Sequence, residues 1–150
     1  MKVALGSDHA GFAGKEAAKR VLERLGVAYE DFGTQTDTES VDYPDYARAV
    51  GEAVAKQDAQ CGLLFCGTGI GIGIAANKIP GIRAAVVHDV ETARLAREHN
   101  DANVMAMGVR NANPDMLPEV IETFLKTAFA GGRHARRIEK IAALEASTQH

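Results

Sequence analysis

Cys61-Gly-Leu-Leu-Phe-Cys66 runs without interruption into Gly67-Thr-Gly-Ile-Gly-Ile-Gly73. The first stretch is apolar or small throughout, so neither of its faces suits water. A strand covered on both sides is a central strand of a parallel sheet. The second stretch carries four glycines in seven residues and leads into Ala75-Ala-Asn-Lys78, read as a helix. Buried strand, glycine loop and helix in that order make one half of a βαβ unit.

The same alternation extends in both directions. Lys2 to Gly6 reads as a strand, followed by the loop Ser7-Asp8-His9 and a helix to Leu25 with Ala17, Val21, Leu22 and Leu25 at helical spacing. Gly26 is a natural helix stop, Val27 to Phe32 a second strand, and Gly33 to Asp42 a polar loop. Pro44 opens a helix to Lys56. Past the glycine loop, Arg83 to His88 is a fourth strand, Val90 to His99 a helix, Asn103 to Met107 a fifth strand, and Pro114 starts a helix to Phe129. The pattern predicts an α/β fold: a three-layer α/β/α sandwich around a five-stranded, mainly parallel, Rossmann-like sheet. One domain is expected over residues 1–150, with a C-terminal helix over 134–146 and a disordered tail over 147–150. The helix stripe Ile138, Ile141, Ala142 and Leu144 suits packing on the chain's own domain or on a second subunit.

Composition narrows the function classes. A chain of 150 residues buries about 70% of its unfolded surface and needs no staple. Seventeen Lys and Arg against twenty Asp and Glu give −3, which removes the long-range attraction that nucleic-acid binders use. The last twenty residues hold four Lys/Arg and two Asp/Glu, a +2 tail after a −5 body, so any basic site is local. Two cysteines are too few for a disulfide framework. No basic leader with a long apolar run opens the chain, and no apolar stretch nears the ~20 residues of a membrane span. A cytoplasmic protein, away from membranes, is expected.

Ligands of open α/β sheets gather at the carboxyl ends of strands. Those ends hold Ser7, Asp8 and His9, then Cys66 and its glycine loop, His88 and Asp89, and Gly108 to Arg110. Glycine backbone lets a ligand approach closely and offers N–H groups to a phosphate or oxyanion, although a tight turn alone also uses glycine. No Gly-Lys-Ser/Thr follows, so the loop is not a P-loop. Gly71-Ile-Gly-Ile-Ala-Ala76 fits a dinucleotide-binding pattern, but its first Gly comes five residues after Cys66 and only one further strand follows Asp89. Cys66, beside those amides, is either a base or nucleophile whose thiolate they stabilise, or a small hydrophobe. Cys61 and Cys66 match no usual zinc spacing, and no metal or other cofactor is expected. Arg133 and Arg137, four apart with His134 beside them, form either an anion clamp or a solvated basic face. His99 and Asn100 end a helix at the wrong end of the sheet to reach Cys66 in the same subunit.

Ser7-Asp-His-Ala-Gly-Phe12, Asp42-Tyr-Pro-Asp-Tyr-Ala47, Cys66-Gly-Thr-Gly-Ile-Gly71, Ala75-Ala-Asn-Lys78, Arg97-Glu-His-Asn-Asp101 and Gly131-Gly-Arg-His-Ala-Arg-Arg137 together resemble the signature segments of the type B ribose-5-phosphate isomerases. That family is grouped with galactose-6-phosphate and allose-6-phosphate isomerases. The resemblance runs from Met1 to about Leu144. It implies a metal-free interconversion of ribose 5-phosphate and ribulose 5-phosphate in a homodimer, or a dimer of dimers, with active sites shared between subunits. By similarity, Cys66 is the base that moves a proton between C2 and C1, and His99, with Thr68 opposite, opens the sugar ring. Asn100 and the amides of Gly67, Thr68, Gly69, Ile70 and Gly71 hold the enediolate. His9, Arg110, Arg133, His134 and Arg137 grip the phosphate, while Asp8 and Tyr43 line the sugar. A branch of the family uses a Glu in the glycine loop with Ser in place of Cys; no acid stands in Gly71 to Ala76, so the Cys-based branch is the match. A six-carbon sugar-phosphate isomerase and a non-enzymatic phosphate or nucleotide sensor are the alternatives.

Overall fold

The apolar strand at 61–66 occupies the middle of the sheet because its neighbours can shield it on both faces. In a computed structural model of the chain, describing residues 1–110 and 112–148, β1 (Lys2–Ser7), β2 (Ala28–Asp31), β3 (Cys61–Cys66), β4 (Ala84–Val86) and β5 (Val104–Gly108) form one sheet in the order β2-β1-β3-β5-β4. Every pairing is parallel, so the mainly parallel sheet expected is parallel throughout. Parallel neighbours need crossovers, supplied by α1 (Phe12–Leu25), α2 (Tyr43–Ala55), α3 (Ile70–Ala76) and α4 (Val90–Asn100); α5 (Leu117–Lys126) and α6 (Arg133–Thr148) follow β5.

Strand alternation sorts the core into two layers. Cys61, Leu63 and Phe65 face α1, α4 and α5 through Leu22, Ala96, Ile121 and Phe124. Leu64 and Cys66 face α2 and α3 through Val50, Val54, Ile72 and Ala76. Leu63 and Leu64 are fully buried, each contributing about 2 kcal/mol by leaving water.

Element bounds differ from the sequence reading where local chemistry overrides periodicity. α3 begins at Ile70, inside the glycine stretch, because Gly69 at φ 80° turns the chain and Gly71 and Gly73 then lie under Tyr43 and Val86. The fourth strand shrinks to three residues, since the Asn77 side chain bonds both N–H and C=O of Ala84 at its start. Pro114–Met116 is a 3₁₀ turn before α5. α6 continues through Ser147 to Thr148, two residues past the expected helix end; Gln149 and His150 of the expected tail lie outside the described residues.

The position of the site follows from strand order. The chain steps from β1 outward to β2, then crosses to β3 on the other side of β1, so the crevice beyond the carboxyl ends of β1 and β3 is the topological switch point. Ser7 pairs with Phe65 there, bringing Asp8-His9 beside Cys66.

Candidate active site

Cys66 is 4% exposed, and its Sγ accepts a hydrogen bond from the Gly69 N–H at 3.1 Å. That bond depends on the loop folding back on itself. Gly69 takes a left-handed φ of 80°, and a Cβ there would come within 2.9 Å of Gly108 N. Gly108 in turn leaves no room for a Cβ, which would lie 2.5 Å from the Thr68 carbonyl carbon. The two glycine positions interlock, and the sulfur sits at the mouth of the loop.

Around the sulfur stand the groups from neighbouring strand ends. Arg110 is exposed; its guanidinium lies over Gly67, and its backbone N–H donates to Gly67 O at 3.0 Å. The Tyr43 ring lies over Gly71, where a Cβ would approach its Cζ to 2.6 Å. Thr68 Oγ1 accepts from Ile70 N–H at 3.2 Å, and the Ile70 side chain is 54% exposed. Asp8 is buried and accepts from Gly11 N–H at 2.9 Å, which ties its carboxylate to the entry of α1. His9 Nδ1 accepts from Val41 N–H at 3.1 Å, so Nδ1 carries the lone pair and the ring proton lies on Nε2. Asp89 caps α4 instead of facing a ligand: its carboxyl is held below the usual value by the Thr92 N–H and hydroxyl.

The remaining sequence-predicted residues lie elsewhere. α4 runs from the carboxyl end of the sheet to its amino end, leaving His99 and Asn100 just ahead of β5. α6 starts beside them: Ala130 N–H bonds Glu98 O at 3.0 Å, and the His99 and His134 rings stack at 4.3 Å with 13° between planes. Farther along, Glu145 accepts from Gly81 N–H, ahead of β4. At ~3.3 Å per residue, the length of β3 separates this cluster from Cys66 by about 17 Å. Asn100 is exposed, its carbonyl taken by Arg83 at 3.0 Å. Arg133 and Arg137 are exposed and, among the described residues, have no carboxylate partner, whereas Arg48, Arg83, Arg94 and Arg97 do. His134 is nearly buried; burial first, then His99, Arg133 and Arg137, hold its imidazole below the ordinary value, with Glu98 opposing.

Cys61, on the other face, is a buried thiol pushed up to about 11, chiefly by desolvation. Among the described residues no three His, Cys, Asp or Glu side chains group as a metal site, and no helix is long and apolar enough to cross a membrane. A cavity of about 180 Å³ lies on the Phe65 side of the sheet, lined mostly by apolar side chains such as Ala13, Val109 and Leu117, with Asn113 and no charged group. Sequence reasoning did not find the Val41 amide that bonds the His9 ring, nor the buried Lys15 and its Asp31 partner at 2.6 Å. The available signal was Lys15 itself, at i, i+3, i+7 with the buried Ala18 and Leu22.

A model described as Ribose/Galactose Isomerase matches residues 3–141. The chain belongs to that family. The isomerase is 44% identical to ribose-5-phosphate isomerase B of Escherichia coli (strain K12) over 144 residues, 96% of each chain. It superposes on ribose-5-phosphate isomerase B of Clostridium thermocellum with TM-score 0.97 at 47% identity, covering 99% of this chain and 100% of that one. Against the Mycoplasma genitalium ribose-5-phosphate isomerase B with bound ribulose-5-phosphate, the TM-score is 0.93 at 38% identity, covering 98% and 97%. The chain is therefore an isomerase of this sugar-phosphate group, and the switch-point crevice is its candidate active site.

Proposed function

We propose that the chain interconverts ribose 5-phosphate and ribulose 5-phosphate without a metal, through a cis-enediolate, with Cys66 as the base. The observation that carries this reading is the Cys66 sulfur itself, buried, bonded to a loop amide and standing at the switch point between His9 and Arg110. His99 opens the furanose ring, with Thr68 opposite. In the open-chain aldose, the C2 proton passes to the Cys66 thiolate, the electron pair left on C2 forms the C1–C2 double bond, and the charge moves to O1. The loop amides and Asn100 hold that charge. O1 gains a proton, the O2 hydroxyl loses one, and return of the Cys66 proton to C1 gives the ketose. Phosphate binding by His9, Arg110, Arg133, His134 and Arg137 fixes C1 and C2 against the base, while Asp8 and Tyr43 line the sugar.

The site is completed by a second copy of the chain, which brings His99, Asn100, Arg133, His134 and Arg137 of one subunit to Cys66 of the other. Two features support this. The two clusters sit at opposite ends of one sheet, and Ile70, Ile74, Ile141 and Leu144 are large apolar side chains left 45–69% exposed. A reducing cytoplasm suits a mechanism that needs a free thiol.

The family's description covers galactose as well as ribose, so a six-carbon sugar phosphate is the second reading. A coupled assay on ribose 5-phosphate, allose 6-phosphate and galactose 6-phosphate separates the two. Highest kcat/KM is expected on ribose 5-phosphate; preference for a hexose phosphate selects the second reading, and tight nucleotide binding with no turnover of any of the three overturns both.

A further inference from the structure

Behind the Asp8–His9 turn lies a charge that no step of the proposed reaction uses. Lys15 is fully buried; its Nζ stands 2.6 Å from Asp31 Oδ2 and 3.1 Å from Glu16 Oε2, with the Phe12 ring centre at 5.1 Å. Stability alone is a weak reason for such a group, because a buried ion pair is often no better than apolar residues of the same volume.

The connections of Asp31 offer another reason. Its Oδ2 also meets Lys19 at 3.1 Å, and its Oδ1 accepts from Gly33 N–H at 2.8 Å. Gly33 O accepts from Ser7 N–H at 2.7 Å, and Thr34 N–H donates to Ser7 O at 2.8 Å, so the loop is fastened to the last residue of β1. The same loop ends at Val41, whose N–H sets the His9 ring. From the helix side, the Lys15 N–H bonds Gly11 O at 3.1 Å, and the Gly11 N–H bonds Asp8. Lys15 is thus linked to both supports of His9: through its own N–H to the turn that enters α1, and through Asp31 to the loop that caps the ring.

We propose that Lys15 is a positioning residue, whose buried contact with Asp31 holds the 33–41 loop against the end of β1 and so aims the His9 Nε2–H at the substrate phosphate. The inference rests on the reading of His9 as a phosphate ligand. Cys66 is held separately, by Gly69 on another strand end, so Lys15 acts on phosphate binding and not on proton transfer.

The test uses Lys15→Met in the full chain, a side chain of similar length without charge. KM for ribose 5-phosphate and the dissociation constant of inorganic phosphate are each expected to rise roughly tenfold. Meanwhile kcat stays within about twofold, and iodoacetamide alkylates Cys66 at the wild-type rate. A Cys61→Ala background keeps that reading on Cys66 alone. If Lys15→Met fails to fold, Asp31→Asn, which keeps the oxygen for Gly33, carries the test with a smaller change in the same direction. A lower melting temperature with unchanged KM and phosphate affinity overturns the proposal, as does a fall in kcat at constant KM. If the wild-type protein turns over no sugar phosphate, the isomerase reading fails separately. Calorimetry with inorganic phosphate then still decides: equal affinity in wild type and Lys15→Met overturns the inference, and a tenfold loss supports it.

Discussion

At the carboxyl end of the sheet the chemistry is framed by backbone, and at the amino end by long side chains. Around Cys66 the positions are set by close approaches: Gly69 under Gly108, Gly108 against Thr68, Gly71 under Tyr43. Around His99 they are set by one ring stacked on another and by two arginines with no carboxylate partner among the described residues. The glycines there serve a different purpose. Gly131 and Gly132 have φ of 68° and 58° with nothing within 4 Å of a Cβ, so they are required by conformation and not by space. The contrast teaches that one half is fixed by backbone contacts within the chain, while the other leaves two arginines exposed beside a stacked pair of histidines. The two halves meet only if a second subunit supplies one of them.

The largest effect expected comes from removing the proposed base. Cys66→Ser should lower turnover of ribose 5-phosphate by about three orders of magnitude, while inorganic phosphate still inhibits any residual activity, or still binds in calorimetry, within a few-fold of wild type. Wild-type turnover in this variant would take Cys66 out of the mechanism and leave the carboxyl-end cluster without a chemical role.

The link between the two ends is tested by mixing subunits. Cys66→Ala and His99→Ala are each expected to be inactive, yet equal parts refolded together should recover about a quarter of wild-type activity. Half the dimers are then mixed, and one of their two sites is intact. No recovery argues that each site draws on a single chain.

The glycines give a third, smaller contrast. Gly108→Ala should lose about 1–3 kcal/mol of stability through the clash with Thr68, and activity with it. Gly131→Ala should lose only about 1–2 kcal/mol, by strain at positive φ, with kcat retained. Urea denaturation and steady-state kinetics read both; similar kinetic losses at the two positions would erase the distinction.

The smallest effect concerns pH. His134 is held below its ordinary value of 6.5, so the unfolded chain binds the proton more readily than the folded one. The stability it contributes is complete above that value and is lost as pH falls toward the folded value. His134→Gln should therefore flatten the decline in melting temperature between about pH 7 and pH 5. An identical slope in both proteins would show that the stacked ring is not desolvated enough to matter.

Much of this was legible in advance, for local reasons. The apolar run at 61–66, the glycines after it, and the strand–helix alternation identify a parallel α/β sheet because periodicity and turn chemistry act over a few residues. The separation of His99 from Cys66 also follows from counting strand and helix ends. The burial of His134 did not, since Arg133 and Arg137 beside it are exposed and the His99 ring it stacks on belongs to another helix. Nor did the start of α3 within the glycines, where the lack of side chains hides the helical period that tertiary contacts with Tyr43 and Val86 favour.

By itself, then, the sequence determined the parallel sheet, the glycine loop beneath Cys66 and the clustering of cations in the tail, because each is written in contiguous residues. Tertiary structure alone decided which distant groups meet: Val41 with His9, Lys15 with Asp31, His134 with His99. Those contacts depend on the strand order β2-β1-β3-β5-β4 and its register. Order and register come from burying all the apolar faces at once, a condition on the whole chain that no local stretch contains.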